Sequence, residues 1–323
     1  MSGPVGAADL SAPPVPSSPL AAPGGGDRPI EVSPDRETRL GDVPVRRALP
    51  RRGRRTIGAW CFVDHLGPMA VTGSSGVAIG PHPHMGLQTV TWLVRGEQLH
   101  TDSLGTEQMI RPGQLNVMSA GAGVAHAEDT GPFAGPLHGV QLWVAQPEDT
   151  RHGSAAFEHH PALPQLQAGT ATVTVLNGTF ASTRSPARTD TDLVGVDLDM
   201  HPGRCVLPLD PTFEHGLVVL VGALVVERPH DDQPTTVVPG SLAYLPPGPT
   251  ELRLRTTVDT RALLIGGVPF PDAVFMWWNF VARTPDEVDL ATEAWRAGSD
   301  RFGPVASPLA RIPAPPGPGA LRG

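Results

Sequence analysis

Between its two ends this chain is built from short runs rich in Val, Leu and Thr, cut off again and again by Gly, Pro, Asn or Asp. The runs fall at 88–94, 108–111, 115–119, 140–145, 172–176, 194–200, 217–226, 235–238 and 261–265. Segments of that composition, interrupted at that rhythm, read as strands, and so many of them predict an all-β sandwich or barrel. The 37 glycines and 38 prolines supply the turns, and with aromatics at 5% the core has to be made mainly of Val, Leu and Ala. A length of 323 residues leaves room for two domains.

The two halves resemble distant copies of one unit. Gly96 ends a strand and is followed 17 residues later by Gly113 in a Pro-Gly turn; Gly222 ends another, and Gly240 closes a second Pro-Gly turn 18 residues on. A polar stretch with Pro147, Pro161 and Pro164 separates the halves. The expected organisation is a first domain over 30–145, a linker over 146–168 and a second domain over 169–302. One helix is expected near the end. Thr284-Pro285-Asp286-Glu287 provides an N-cap, a proline at the first helical position and a capping-box Glu, and Gly298 follows the last periodic residue. Residues 1–29 and 303–323 are rich in Pro, Gly and Ala and are expected to be disordered tails.

Charge and cysteine usage narrow the function. The formal net charge is −8 and lysine is absent, so generic binding to nucleic acid or an anionic membrane is not expected. Arg46-Arg47 and Arg51-Arg52-Gly53-Arg54-Arg55 form a local basic run, read as a solvated loop. Two distant cysteines, Cys61 and Cys205, make no disulfide framework, which points to a reducing compartment, the cytoplasm. No apolar run approaches the ~20 residues of a membrane-spanning helix.

Chemistry concentrates in two short motifs, His82-Pro83-His84 and, 42 residues after His84, His126-Ala127-Glu128. Residues two apart on a strand point to the same side, so each motif aims two ligand-type groups at one face. Three imidazoles and a carboxylate brought together suit a divalent transition metal: Fe(II), Mn(II), Ni(II), Co(II), Cu(II) or Zn(II). Asp64-His65 is a candidate for support behind these ligands, or for buried structural polarity. The remaining histidines (His100, His138, His152, His159, His160, His201, His215 and His230) read as solvated or core-edge residues. In the second half, the same offsets from Gly222 and Gly240 give Pro208, Asp210, Arg253 and Arg255, a set unsuited to a cation. That half is expected to be structural or to face a partner.

Residues 80–128, GPHPHMGLQTVTWLVRGEQLHTDSLGTEQMIRPGQLNVMSAGAGVAHAE, resemble the pirin family of double cupins. The flanking IGAWCFVDHLGPM at 57–69, HGVQLWV at 138–144 and MWWNFVARTPDE at 276–287 are similar to further pirin segments. The resemblance implies two tandem cupin (jelly-roll) barrels with a short C-terminal helix. It also implies one metal, usually iron, held by His82, His84, His126 and Glu128. Gln88 and Met85 depart from the usual Glu and Arg, which bears on the pocket and its substrate more than on the metal.

An open site of this kind suits catalysis. The barrel mouth, with Val90, Trp92, Met118 and Trp143 as candidate lining, would accept a flat apolar ligand. The resemblance implies an Fe(II) dioxygenase that opens the heterocycle of flavonols such as quercetin with O2 and releases carbon monoxide, Glu128 acting as ligand and general base. The alternative it implies is an iron-dependent, redox-sensing regulator that binds transcription or metabolic proteins. A non-oxidative cupin using the metal as a Lewis acid is a third class.

Overall fold

The computed structural model describes residues 29–40, 43–72, 76–227 and 234–318. The expected N-terminal tail, up to residue 28, and His230 lie outside the described residues.

Two β-barrels share one strand plan. The larger sheet of the first runs in the order Ala156–His160, Leu115–Ser119, Leu87–Arg95, Gly135–Ala145, Trp60–Val71, Val43–Leu49, Arg36–Leu40. Facing it are Ala78–His84, Val124–Asp129, Gln98–Asp102 and Glu107–Ile110. In the second barrel the larger sheet runs Glu31–Pro34, Ser241–Leu245, Glu214–Val221, Thr260–Gly267, Leu193–Met200, Ala171–Phe180, Gln165–Ala168. Its facing sheet is Gly203–Pro208, Glu251–Thr256, Leu224–Glu227 and Thr235–Val237. The repeat seen in the glycines is therefore a repeat of topology. Gly96 and Gly222 (φ 88° and 78°) and Gly113 and Gly240 (φ 83° and 86°) take the left-handed conformation that only glycine adopts without strain.

The barrels pack sheet on sheet. Val90 and Trp92 of the first cluster with Val218, Leu263 and Ile265 of the second, all fully or almost fully buried. Trp60 sends its indole N–H across the boundary to the carbonyls of Val194 and Gly266, at 3.0 and 3.2 Å. Strands Trp60–Val71 and Gly135–Ala145 thus carry apolar side chains on both faces, one toward their own barrel and one toward its neighbour. Cys61 and Cys205 are buried and unpaired.

Chain ends and linker depart from the expected boundaries. Glu31–Pro34 pairs with Ser241–Leu245, so this strand belongs to the second barrel. The stretch 146–168 is not a free linker: Ala156–His160 extends the first barrel and Gln165–Ala168 extends the second. The helix forms over Pro285–Arg296 with Thr284 as N-cap, accepting from the Glu287 N–H. Beyond it the chain returns to the first barrel. Residues 303–318, expected as tail, lie there as an extended strap: Ile312 N–H donates to Pro81 O at 2.9 Å and Ile312 O accepts from Trp295 Nε1 at 2.9 Å. The Arg311 guanidinium covers the Trp295 ring at 3.3 Å. Composition suggested disorder because prolines offer few donors for a ladder; an extended strap needs only these few contacts.

The second barrel also corrects the offset argument. On Glu251–Thr256 Glu251 and Arg253 are exposed and Arg255 is half-buried, while Leu252 and Leu254 point inward with Cys205 and Leu207. Arg253 pairs with Glu251 and Arg255 with Glu227 outside the barrel. Counting from a turn missed the strand phase by one residue, which exchanges the faces.

Candidate metal centre

Ala78–His84 is an edge strand, which is why it tolerates Pro81 and Pro83: their missing N–H groups take no ladder bond. Its partner is Val124–Asp129, with His126 directly opposite His82. This pairing brings the two motifs together. His82, His84 and His126 have no exposed surface, and one ligand atom from each lies within 4.8 Å of the others.

Two of the three rings have an unambiguous proton. His82 Nδ1 donates to the Gly80 carbonyl at 2.9 Å, and His84 Nδ1 donates to the Asn279 carbonyl at 3.1 Å. A carbonyl only accepts, so each ring turns a bare Nε2 inward. His84 Nε2 stands 3.0 Å from His126 Nε2. Two imidazole nitrogens each about 2.1 Å from one ion, at a right angle, would be about 3.0 Å apart. Burial pushes His82 down to about 3 and holds His84 and His126 well below the usual imidazole range, with the neighbouring rings lowering the last two further. All three are neutral at pH 7, the form that binds metal. Buried, neutral and convergent, the donor set fits a divalent transition metal.

Glu128 lies two residues beyond His126 on the same face of its strand, 2% exposed, opposite His100 of Gln98–Asp102. The close set of ligand atoms comprises the three histidines. Around it, Trp143 meets His84 edge-on with ring centroids 5.3 Å apart and stacks on Phe62 at 4.0 Å. Thr89 pairs with Trp143 on one side and Met118 on the other, so Met118 and Trp143 share the metal face. Val90 and Trp92, expected with them at the mouth, are out of phase and belong to the interface between barrels.

Other sequence expectations resolve differently. Asp64 does not support the histidines; its carboxylate forms a buried bidentate pair with Arg47, both bonds 2.7 Å. Arg47 is thus an interior residue rather than part of a solvated loop. His65 instead meets His138, Nε2 to Nε2 at 2.8 Å. His215 is buried, and His100, expected to be solvated or at a core edge, is buried and touches His126. Two further residues serve the site outside the two motifs: Asp102, which binds His100, and Asn279, whose carbonyl comes from the segment after the second barrel. His100 and Asp102 were within reach: they too are two apart on a strand.

The Pirin family profile matches residues 42–144, and that of the pirin C-terminal cupin domain matches residues 195–303. A Pseudomonas aeruginosa protein provisionally named quercetin 2,3-dioxygenase is 46% identical over 280 residues, 86% of this chain and 87% of that one. A pirin-like protein from Caulobacter vibrioides is 31% identical over 80% of this chain and 90% of its own. The crystal structure of a quercetin 2,3-dioxygenase from Acinetobacter baumannii superimposes with a TM-score of 0.85 at 40% identity, covering 90% of this chain and 96% of that one.

Proposed function

The chain belongs to the pirin family, and on that premise we propose that it is an Fe(II)-dependent dioxygenase that opens the heterocycle of flavonols such as quercetin. The observation that carries this reading is the set of three buried, neutral imidazoles whose ligand atoms lie within 4.8 Å of one another. Likeness to proteins named as quercetin 2,3-dioxygenases supports the choice of substrate class.

His82, His84 and His126 would hold the metal, and Glu128, further along the same strand face, completes the set. When bound, the metal supplies a Lewis acid for the flavonol oxygen and a redox partner for O2. Glu128 takes the proton of the flavonol 3-hydroxyl on a carboxylate oxygen, which leaves the ring electron-rich toward O2. Gly80 O and Asn279 O hold His82 and His84 in the tautomer that points Nε2 inward. Trp143 and Met118, both buried on the metal face, would set an apolar wall beside a flat ring. Unpaired Cys61 and Cys205 support a cytoplasmic setting.

Anaerobic protein loaded with Fe(II) and mixed with quercetin should, on admission of air, take up O2 and bleach the flavonol absorbance together. Loss of both metal and turnover is expected for His126→Ala; Glu128→Gln should keep metal and lose turnover. Tight iron binding with no turnover of any flavonol would overturn the enzyme reading in favour of an iron-dependent regulator. That alternative has less surface to use than the sequence suggested, because Arg47 is interior and Arg54 is stacked on Tyr244 at 3.1 Å.

A further inference from the structure

We propose that His100 and Asp102 act as a positioning relay that sets the tautomer of His126 and so delivers its Nε2 lone pair to the metal. This rests on the metal-site reading above and concerns the one ring whose proton no carbonyl fixes.

The relay runs outward from the site. His126 Nδ1 lies 3.3 Å from His100 Nδ1, and His100 Nε2 lies 3.0 Å from Asp102 Oδ2. Asp102 is anchored: its Oδ1 accepts the N–H groups of Leu104 and Thr106 at 2.9 and 3.0 Å. His100 is held from the side by Phe157, stacked at 4.5 Å. Both residues are buried, at 5% and 2% exposure, and strand pairing puts Asp102 opposite His126 and His100 opposite Glu128.

Proton positions follow from the ends of the chain. A carboxylate accepts, so His100 donates from Nε2. A neutral His100 with its proton on Nε2 can only accept at Nδ1, so His126 must carry its own proton on Nδ1. Its Nε2 is then bare and faces the bare Nε2 of His84 at 3.0 Å. Two facing lone pairs at that distance repel until a cation lies between them. His82 and His84 reach the same tautomer through carbonyls; His126 reaches it through a second imidazole and a carboxylate, the outer-shell arrangement that orients metal-bound histidines.

The isosteric change Asp102→Asn tests this. An amide N–H toward His100 Nε2 drives the His100 proton to Nδ1, forcing His126 to accept there and to protonate Nε2. Long-range 15N–1H spectra of the metal-free protein should show the His126 proton on Nδ1 in the parent and on Nε2 in Asp102→Asn. Zn(II) affinity, read by competition with a chromophoric chelator, should fall about 10- to 100-fold. His100→Phe, which keeps the stack on Phe157 but removes the relay, should lose affinity to a similar extent while retaining the parent's circular dichroism. The relay is overturned if the parent carries the His126 proton on Nε2, or if both variants bind Zn(II) as the parent does. Failure of the parent itself to bind Zn(II) would instead refute the metal-site reading, since the tautomer is read without metal.

Discussion

Acidification of the metal-free protein should unfold it cooperatively near pH 5. Burial pushes His65 down to about 3 and His215 down to about 4, from an ordinary value of 6.5. The unfolded chain takes up these protons as the pH falls through 6.5, whereas the folded chain refuses them until pH 3–4, so stability present above 6.5 is lost across that window. At pH 5 the loss is about 2 kcal/mol for each residue, about 4 kcal/mol for the two. His138, pushed down to about 4, and the three site histidines act in the same direction. Asp35, raised to about 6 by burial, works against them because the folded state gains its proton first; it returns about 1 kcal/mol between pH 7 and 5. Asp64, Asp197 and Glu214, whose carboxyls burial also raises, oppose the loss in the same way as Asp35. The loss from the histidines is itself comparable with the ~5–15 kcal/mol that holds a domain together. Tryptophan fluorescence and far-UV circular dichroism of chelator-treated protein from pH 8 to 3.5 would follow the transition, with His215→Leu expected to shift it to lower pH. Unchanged urea stability down to pH 4 would refute the reasoning. Added Zn(II) should move the midpoint lower, because it binds only the folded site.

Three further outcomes are expected. Arg47→Met should destabilise the protein by about 3–5 kcal/mol in urea unfolding, because it strands a buried Asp64 carboxylate; Arg47→Met with Asp64→Leu should recover most of the loss. Gly58→Ala should lower the melting temperature sharply, since φ is +53° and a Cβ there would stand 2.7 Å from the Gly267 Cα, at the junction of the barrels. Deleting residues 304–323 should remove the two Ile312 hydrogen bonds and the Arg311–Trp295 stack, a loss of about 2–3 kcal/mol measurable by calorimetry.

What was legible beforehand follows from which interactions are local. Strand alternation has a period of two, so His82-Pro83-His84 and His126-Ala127-Glu128 announce shared faces without any knowledge of the fold. Turn glycines are equally local, and Gly96, Gly113, Gly222 and Gly240 all take the conformation their positions require. The helix start at Thr284 is local too, since its cap and proline act within one turn. Phase across a turn is not local. Val90 and Trp92, Arg253 and Arg255 were placed on the wrong side because one residue of slip reverses a strand, and only pairing with neighbours sets it.

Sequence alone thus determined that this chain is an all-β protein of two similar units and that two of its motifs each present paired ligands, because both properties arise from local periodicity and turn residues. Tertiary structure alone decided that the motifs meet, that Arg47 turns inward to Asp64, and that the Asn279 carbonyl returns from beyond the second barrel to orient His84. Those outcomes join residues 17 to 195 positions apart, and no local preference of the chain encodes a contact at such separations.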